Sequence, residues 1–205
     1  MKAVILAGGT GMRLGSLTAA LPKPMVTVGG TPLVAHQIQL LKKYGIGDVT
    51  IITHYLPHVI EGFFGDGSAY GLRISYFREQ RPLGTTGGLK EIENRLTDDF
   101  MVLYGDLMIN MNLQQLIDFH CARESDCTLV VHPNDHPYDS DLVELDHEQR
   151  IVAFHPKPHA PDVHYRNLVN AAVYIMSPAV LTFLRKGVRA DFGRDIFPEL
   201  IHKED

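Results

Sequence analysis

Four short segments of the sequence carry residue types and spacings suited to chemistry. The first is Leu6-Ala7-Gly8-Gly9-Thr10-Gly11-Met12-Arg13-Leu14-Gly15, where glycines let backbone amides approach an anion closely and Arg13 adds a fixed cationic fork. Such a loop suits phosphate, although a tight turn after a strand also draws glycines for steric reasons alone. Two familiar phosphate loops are excluded. A nucleoside-triphosphatase loop requires Gly-Lys-Ser/Thr, which is absent. A dinucleotide fold requires a helix directly after the glycines and an acidic residue closing the second strand. Pro22 and Pro24 lie where that helix would run, and the second strand closes with Thr53-His54.

The second segment is Leu21-Pro22-Lys23-Pro24-Met25, in which two prolines fix the backbone around one lysine and aim its ammonium. The third runs Glu79-Gln80-Arg81-Pro82-Leu83-Gly84-Thr85-Thr86-Gly87-Gly88, a polar loop entering a helix whose amides suit a base edge or an anion, with Thr85 as N-cap. The fourth, Gly105-Asp106, sets a carboxylate just past a buried strand, where open α/β sheets place their ligands and where a hard cation such as magnesium would accept it. Eleven histidines tempt a metal reading, above all in His132-Pro133-Asn134-Asp135-His136-Pro137. The prolines deny that stretch a helical ligand face, and the histidines read as loop and core residues. No serine or cysteine nucleophile motif competes.

The elements between these segments must position them. Lys2 to Ala7 is a continuous apolar run ending in glycines, the pattern of a central strand buried on both faces. Thr31-Pro32 then offers an N-cap and a first-turn proline, Leu33, Val34, Ile38 and Leu41 recur at helical spacing, and Gly45 ends the segment, so the pattern predicts a helix over 31–44. Asp48 to Thr53 reads as a second buried strand, Pro57 to Phe64 as a short helix, Gly65-Asp66-Gly67 as a turn and 72–77 as a third strand. A helix over about 85–96 leads into the apolar strand Phe100 to Tyr104. Asn112 caps a helix to Arg123, Cys127 to His132 forms a strand, and 141–146, 150–155 and 168–176 form antiparallel strands. The order is α/β first and mixed sheet later, in one domain without repeat or linker.

Composition limits the remaining classes. The chain has 205 residues, 45% hydrophobic and 21% charged, with no low-complexity tract, which places it among globular proteins. A net charge of -5 disfavours nucleic acid and anionic membrane as partners. Cys121 and Cys127 are spaced as neither a redox nor a zinc pair and read as buried reduced thiols. The apolar run at the N-terminus is too short for a signal peptide or a membrane span, which gives a cytoplasmic expectation.

Taken in order, Gly8-Gly9-Thr10-Gly11-Met12-Arg13-Leu14, Pro22-Lys23-Pro24-Met25, Pro82-Leu83-Gly84-Thr85-Thr86-Gly87-Gly88 and Gly105-Asp106 resemble the sugar-1-phosphate nucleotidyltransferase family. The resemblance extends through Phe154-His155-Pro156-Lys157-Pro158, similar to the family's F-x-E-K-P, Val169-Asn170-Ala171-Ala172-Val173-Tyr174, similar to its N-A-G-x-Y, and Asp195-Ile196-Phe197-Pro198. It implies a Rossmann-like three-layer α/β fold with a mixed, mostly parallel central sheet. It also implies transfer of a nucleoside monophosphate from a triphosphate to a sugar 1-phosphate, with pyrophosphate leaving and Mg2+ assisting.

By that resemblance Leu6, Ala7, Gly8, Gly9, Thr10 and Gly11 bind the nucleotide, the amides of Gly8 to Gly11 holding the triphosphate, Arg13 supports the departing pyrophosphate, Lys23 bridges the phosphates of both substrates, and Asp106 ligates the metal. Glu79, Leu83 and Gly84 border the base, and Gly88, Asn110, Lys157 and Asn170 line the sugar phosphate. The chain departs from the family pattern at Gly15-Ser16, at Pro156 in place of glutamate and at Ala172 in place of glycine. The segment Pro-Leu-Gly-Thr-x-Gly-Gly is most similar to bacterial guanylyltransferases acting on mannose 1-phosphate or D-glycero-D-manno-heptose 1-phosphate. Those acting on N-acetylmuramic acid 1-phosphate with UTP, and a non-catalytic nucleotide or sugar-phosphate binder, are the alternatives. GTP is the favoured nucleotide, and a homodimer is compatible with the resemblance.

Family members carry a further W/I-x-D-x-G-T stretch after the D-I-F-P segment, whose aspartate is a second metal ligand. The sequence reaches Asp205 without it, so the expectation is a domain over 1–205 lacking the family's C-terminal segment. Asp191 is expected as an N-cap and Asp195 as a first-turn charge, both poor substitutes for that ligand.

Overall fold

The computed structural model describes residues 1–9, 21–160 and 162–203. Its strands are β1 (Lys2–Ala7), β2 (Thr27–Val28), β3 (Thr31–Pro32), β4 (Asp48–Thr53), β5 (Arg73–Arg78), β6 (Phe100–Tyr104), β7 (Cys127–His132), β8 (Leu142–Leu145), β9 (Ile151–His155) and β10 (Val169–Met176). Its helices are α1 (Leu33–Lys43), α2 (Pro57–Phe64), α3 (Gly87–Glu91), α4 (Leu113–Arg123) and α5 (Phe197–Lys203). Eight strands form one sheet in the order β5-β4-β1-β6-β10-β8-β9, with β7 pairing the other edge of β10. β5, β4, β1 and β6 are parallel, and β10 runs antiparallel to β6, β7 and β8.

The two-residue period of the strands builds the layers. Ala3, Ile5 and Ala7 of β1 point into a core shared with Val34, Ile38 and Leu41 of α1, Ile60 and Phe64 of α2, and Leu113 and Leu116 of α4. Val4 faces the opposite side, with Leu89 and Ile92, Tyr174 and Met176 of β10, and Phe192, Ile196 and Phe197. Helices thus cover both faces, which is why the central strands read as unbroken apolar runs. The three-layer α/β architecture with a mixed sheet agrees with the sequence reading.

Several boundaries differ for local reasons. Thr31 is not an N-cap: it pairs with Val28 in a tight hairpin whose turn, Gly29-Gly30, has φ of 60° and 81°, and α1 starts after Pro32. The helix predicted over 85–96 shortens to α3 and a separate 3-10 turn at Glu93–Arg95. The amides of Thr85 and Thr86 leave the helix register to donate to Ala190 O at 3.0 and 3.3 Å. The third parallel strand lies one residue later than predicted. Cys121 is exposed on the solvent side of α4, opposite buried Leu113, Leu116 and His120, and Cys127 is half-buried, so the expectation of two buried thiols fails. Among the described residues no cluster of three histidine, cysteine or acidic side chains is arranged to hold a metal, and no helix is long and apolar enough to cross a membrane.

Candidate functional site

Because β5, β4, β1 and β6 run parallel, their C-terminal ends deliver Glu79, His54, Gly8-Gly9 and Gly105-Asp106 to one edge of the sheet. The chain adds β4 and β5 on one side of β1, then returns to place β6 on the other. This reversal opens a crevice at the ends of β1 and β6, where ligands of open α/β sheets bind.

Lys23 and Asp106 meet there. Pro22 sits at φ -65°, the Met25 amide donates to Pro22 O at 2.8 Å, and Pro24 and Met25 are buried, so the lysine stands on an anchored 3-10 turn. Its Nζ donates to Asp106 Oδ2 at 2.5 Å, with the two side chains 39% and 30% exposed. Gly105 makes the approach possible, since a Cβ there would lie 3.1 Å from Leu6 O and 3.3 Å from Pro24 Cγ. Its amide donates to Leu6 O at 2.9 Å. Buried Gln37 on α1 braces the other side, with Nε2 donating to Tyr104 O at 2.9 Å and Leu107 O at 2.8 Å. Gln37 was not singled out by the sequence, although a polar residue beside Val34, Ile38 and Leu41 on the apolar face of α1 is the signal that marks it.

Glu79 forms a second focus. The residue is 7% exposed, and among the described residues its Oε1 has no hydrogen-bond partner. Burial pushes its carboxyl above the usual glutamate range, opposed by the Leu83 amide that donates to it and by His54 nearby. His54 Nδ1 lies 2.9 Å from Glu79 O. Two glycines close on the carboxylate: a Cβ on Gly8 would lie 3.1 Å from Oε2, and one on Gly88 would lie 2.9 Å from Oε1. The result is a narrow cradle around one buried acceptor, bounded by the two glycines and by the Ile52 and His54 side chains, shaped for a flat group carrying N–H donors.

Leu83 and Gly84 are held against a late segment of the chain. Gly84 has φ of 78° and forms an isolated parallel bridge with Ala190, while the Ala190 amide donates to Leu83 O at 3.1 Å. Thr85 does not cap its own helix. It donates to Asp191 Oδ2 at 3.0 Å and accepts from the Phe192 amide at 2.9 Å. Asp191 is the N-cap expected of it, accepting from the Gly193 amide at 3.1 Å, and Asp195 accepts from the Asp191 amide at 2.7 Å.

On the far side, Asn170 and Lys157 are gathered by Asp141, which sequence reasoning missed for want of any local pattern. The Asn170 amide donates to Asp141 O at 2.9 Å and the Lys157 amide to Asp141 Oδ1 at 3.2 Å. The Lys157 ammonium donates to Asp139 O at 2.6 Å. Beyond Asn170, β10 bulges and Ala172 takes φ of 55°, which gives the physical reason that a glycine suits that position. Asn110 is exposed in the loop before α4. Leu6 and Ala7 lie at the end of β1, whereas Thr10, Gly11 and Arg13 fall outside the described residues.

The geometry thus groups Gly8, Glu79, Leu83 and Gly88 at one focus, Lys23 and Asp106 at a second, and Lys157 and Asn170 at a third. A family model described as nucleotidyl transferase matches residues 2–205. The mannose-1-phosphate guanylyltransferase of Mycobacterium tuberculosis (strain ATCC 25618 / H37Rv) is 38% identical over all of this chain, which spans 56% of that protein. The UTP-glucose-1-phosphate uridylyltransferase of Synechocystis sp. (strain ATCC 27184 / PCC 6803 / Kazusa) is 31% identical over 98% of this chain and 55% of its own length. Among solved structures, a Bacillus anthracis protein assigned as a glucose-1-phosphate thymidylyltransferase and holding a sucrose superposes with a TM-score of 0.88 at 23% identity, over 99% of this chain and 83% of that one. The chain therefore spans about half the length of these curated relatives and shares the fold of the solved one. With the family model covering nearly its whole length, the chain belongs to the nucleotidyl transferase family.

Proposed function

We propose that this domain transfers a nucleoside monophosphate from a nucleoside triphosphate to a sugar 1-phosphate, releasing pyrophosphate and forming a nucleoside diphosphate sugar, with GTP and mannose 1-phosphate as the preferred pair. The observation that carries the reading is the Lys23–Asp106 pair at the crevice between β1 and β6, beside Gly8-Gly9. Two polyanions must be brought together in line, so the reaction depends on positioning and on neutralising charge.

An oxygen of the sugar phosphate attacks the α-phosphorus as the bond to the bridging α,β-oxygen breaks, and the electron pair leaves with pyrophosphate. Lys23 stands on a backbone fixed by two prolines and brings its ammonium to the crevice, where it is assigned to the phosphates. The amides after β1 and the guanidinium of Arg13 are assigned to the triphosphate and its leaving group. Glu79 is assigned to the base, its ionised carboxylate accepting from the N1 and N2 donors of guanine within the cradle of Gly8 and Gly88. Leu83 and Gly84 border that base, Gly88 lies with Glu79 instead of at the sugar phosphate expected of it, and Asn110, Lys157 and Asn170 are assigned to the sugar phosphate. No covalent enzyme intermediate is required.

Magnesium fits the donor set. Asp106 offers one hard, partly exposed carboxylate, and Mg2+ is commonly held by one or two carboxylates together with substrate phosphates and water. When bound it would supply charge neutralisation on the phosphates. Asp106 is the residue that would hold it.

Pyrophosphate release across a grid of GTP, UTP, CTP and dTTP against mannose 1-phosphate, D-glycero-D-manno-heptose 1-phosphate and N-acetylmuramic acid 1-phosphate tests the reading. GTP with mannose 1-phosphate is expected to give the highest rate. A maximum with UTP would overturn the base assignment, and binding of nucleotide without release under any pair would favour the non-catalytic alternative.

A further inference from the structure

β8 lies between β9 and β10 in the sheet, and Leu142, its first residue, pairs with His155 on one side and Val169 on the other. That antiparallel register sets the preceding residue, Asp141, against both Lys157 and Asn170, two residues assigned to the sugar phosphate. Its carbonyl accepts from the Asn170 amide at 2.9 Å, and its Oδ1 accepts from the Lys157 amide at 3.2 Å. Asp141 is half-buried.

Gly193 gives the carboxylate its room. A Cβ there would lie 2.9 Å from Asp141 Oδ2 and 2.8 Å from Phe154 Cε1, so no side chain fits between them. The Gly193 amide donates to Asp191 Oδ1 at 3.1 Å instead.

The groups around this carboxylate are donors. Lys157 Nζ donates to Asp139 O at 2.6 Å, which fixes the ammonium beside the same loop. Asn170 Nδ2 donates to the Tyr174 hydroxyl at 2.9 Å and its Oδ1 accepts from the Ala172 amide at 3.1 Å, which orients the second N–H of Nδ2 for a ligand. An ammonium and an amide N–H suit a phosphate. A carboxylate in the same place repels phosphate and needs donors of its own, and with the Lys157 ammonium already present those donors are neutral ones. A sugar 1-phosphate carries both kinds of group, an anion at one end and hydroxyls that each have a proton to give.

The sequence points the same way. In the F-x-E-K-P pattern a glutamate stands directly before the lysine, where this chain has Pro156, which offers neither a carboxylate nor an N–H. The bond from the Lys157 amide to Asp141 returns a carboxylate to the neighbourhood of that position, from across the β8–β9 pair.

We propose that the Asp141 carboxylate accepts from hydroxyls of the sugar and so sets which sugar 1-phosphate the site takes. This rests on the nucleotidyl-transfer reading, and it adds the group that recognises the sugar as distinct from its phosphate. A site that hydrogen-bonds a substrate hydroxyl rejects the analogue lacking it, because the acceptor is then left unpaired.

The test titrates mannose 1-phosphate and its monodeoxy derivatives, each lacking one hydroxyl, by calorimetry into the whole chain saturated with guanosine 5′-(α,β-methylene)triphosphate, which cannot be cleaved at the reacting bond. In wild type at least one derivative is expected to bind about tenfold or more weakly than mannose 1-phosphate, the scale of a hydrogen bond to a charged group. Asp141→Ala should lose a similar factor for mannose 1-phosphate while binding that derivative within about twofold of wild type. Asp141→Asn, whose Oδ1 can still take the Lys157 amide, should show the same pattern with a smaller loss, and it carries the test should the alanine variant not fold. A role confined to holding Lys157 would weaken every ligand alike, since all share the phosphate. An even loss across the series, variants that bind mannose 1-phosphate as tightly as wild type, or a wild type indifferent to every missing hydroxyl overturns the role of Asp141. Wild type that takes up the nucleotide but no sugar phosphate overturns the functional reading and that role with it.

Discussion

Replacing Gly84 by alanine probes the joint that fixes the nucleotide loop. A Cβ there would lie 2.1 Å from Ala190 O, against the 3.0 Å below which real Cβ contacts essentially never fall. The two backbone segments must part by about 1 Å. Three hydrogen bonds span that gap, Thr85 N and Thr86 N to Ala190 O at 3.0 and 3.3 Å and Ala190 N to Leu83 O at 3.1 Å. Each contributes about 1 kcal/mol. Holding alanine at the left-handed φ of 78° adds about 1 kcal/mol more. The expected loss is about 3–5 kcal/mol, a large share of the roughly 5–15 kcal/mol typical of a domain. Denaturant unfolding followed by circular dichroism measures it directly. Gly62→Ala is the control: it lies within α2 with nothing within 4 Å of its Cβ, and should instead stabilise by about 0.5–1 kcal/mol. If Gly84→Ala unfolds within about 0.5 kcal/mol of wild type, the clamp between the loop and Ala190 does not hold as described.

Glu79→Gln should change how stability depends on pH. Burial raises the folded-state pKa of Glu79, so the stability contributed by its proton is complete below the ordinary glutamate pKa and is lost as pH rises through the folded-state value. The variant should lack that decline and lose preference for GTP; parallel pH profiles for the two proteins would contradict the burial argument. Lys23→Ala should lower turnover by about a hundredfold, the scale of one preorganised charge contact, and near-normal turnover of folded variant would remove Lys23 from the phosphates. Asp106→Asn should move the magnesium titration of activity to higher concentration, and an unmoved curve would remove Asp106 from the metal. Gln37→Leu removes the side-chain donor from the Leu107 carbonyl and one of the two donors to the Tyr104 carbonyl, which keeps the Leu107 amide, and should cost about 1–2 kcal/mol in thermal or denaturant unfolding, an unchanged midpoint arguing against the brace.

The parallel half of the fold was legible because its strands are buried on both faces. β1 and β6 carry apolar runs ending at glycines, β4 is buried with Thr50 inside its apolar stretch, and the bounds of all three are those the sequence predicts. Asn112 is equally plain, a side chain that accepts from the Gln114 and Gln115 amides where α4 begins. What escaped the sequence depends on contacts between distant residues. Thr85 has the local look of an N-cap, and only the arrival of Ala190 and Asp191 more than a hundred positions later takes its hydroxyl elsewhere. Thr31 was misread for a nearer reason, because Gly29-Gly30 makes a hairpin that claims it before the helix starts. Of the foci, the Lys23–Asp106 pair was marked by prolines and a strand-ending Gly-Asp. Asp141 was invisible, since nothing local distinguishes an aspartate that gathers Lys157 and Asn170 from one that faces water.

The central claim concerns which bond breaks. GTP labelled at the α-phosphorus, incubated with mannose 1-phosphate, magnesium and the protein, should deliver its label to a nucleoside diphosphate sugar, with one pyrophosphate released for each product formed. Label recovered in GDP, with free phosphate or a phosphorylated sugar beside it, would place cleavage at the β,γ bond and contradict the account.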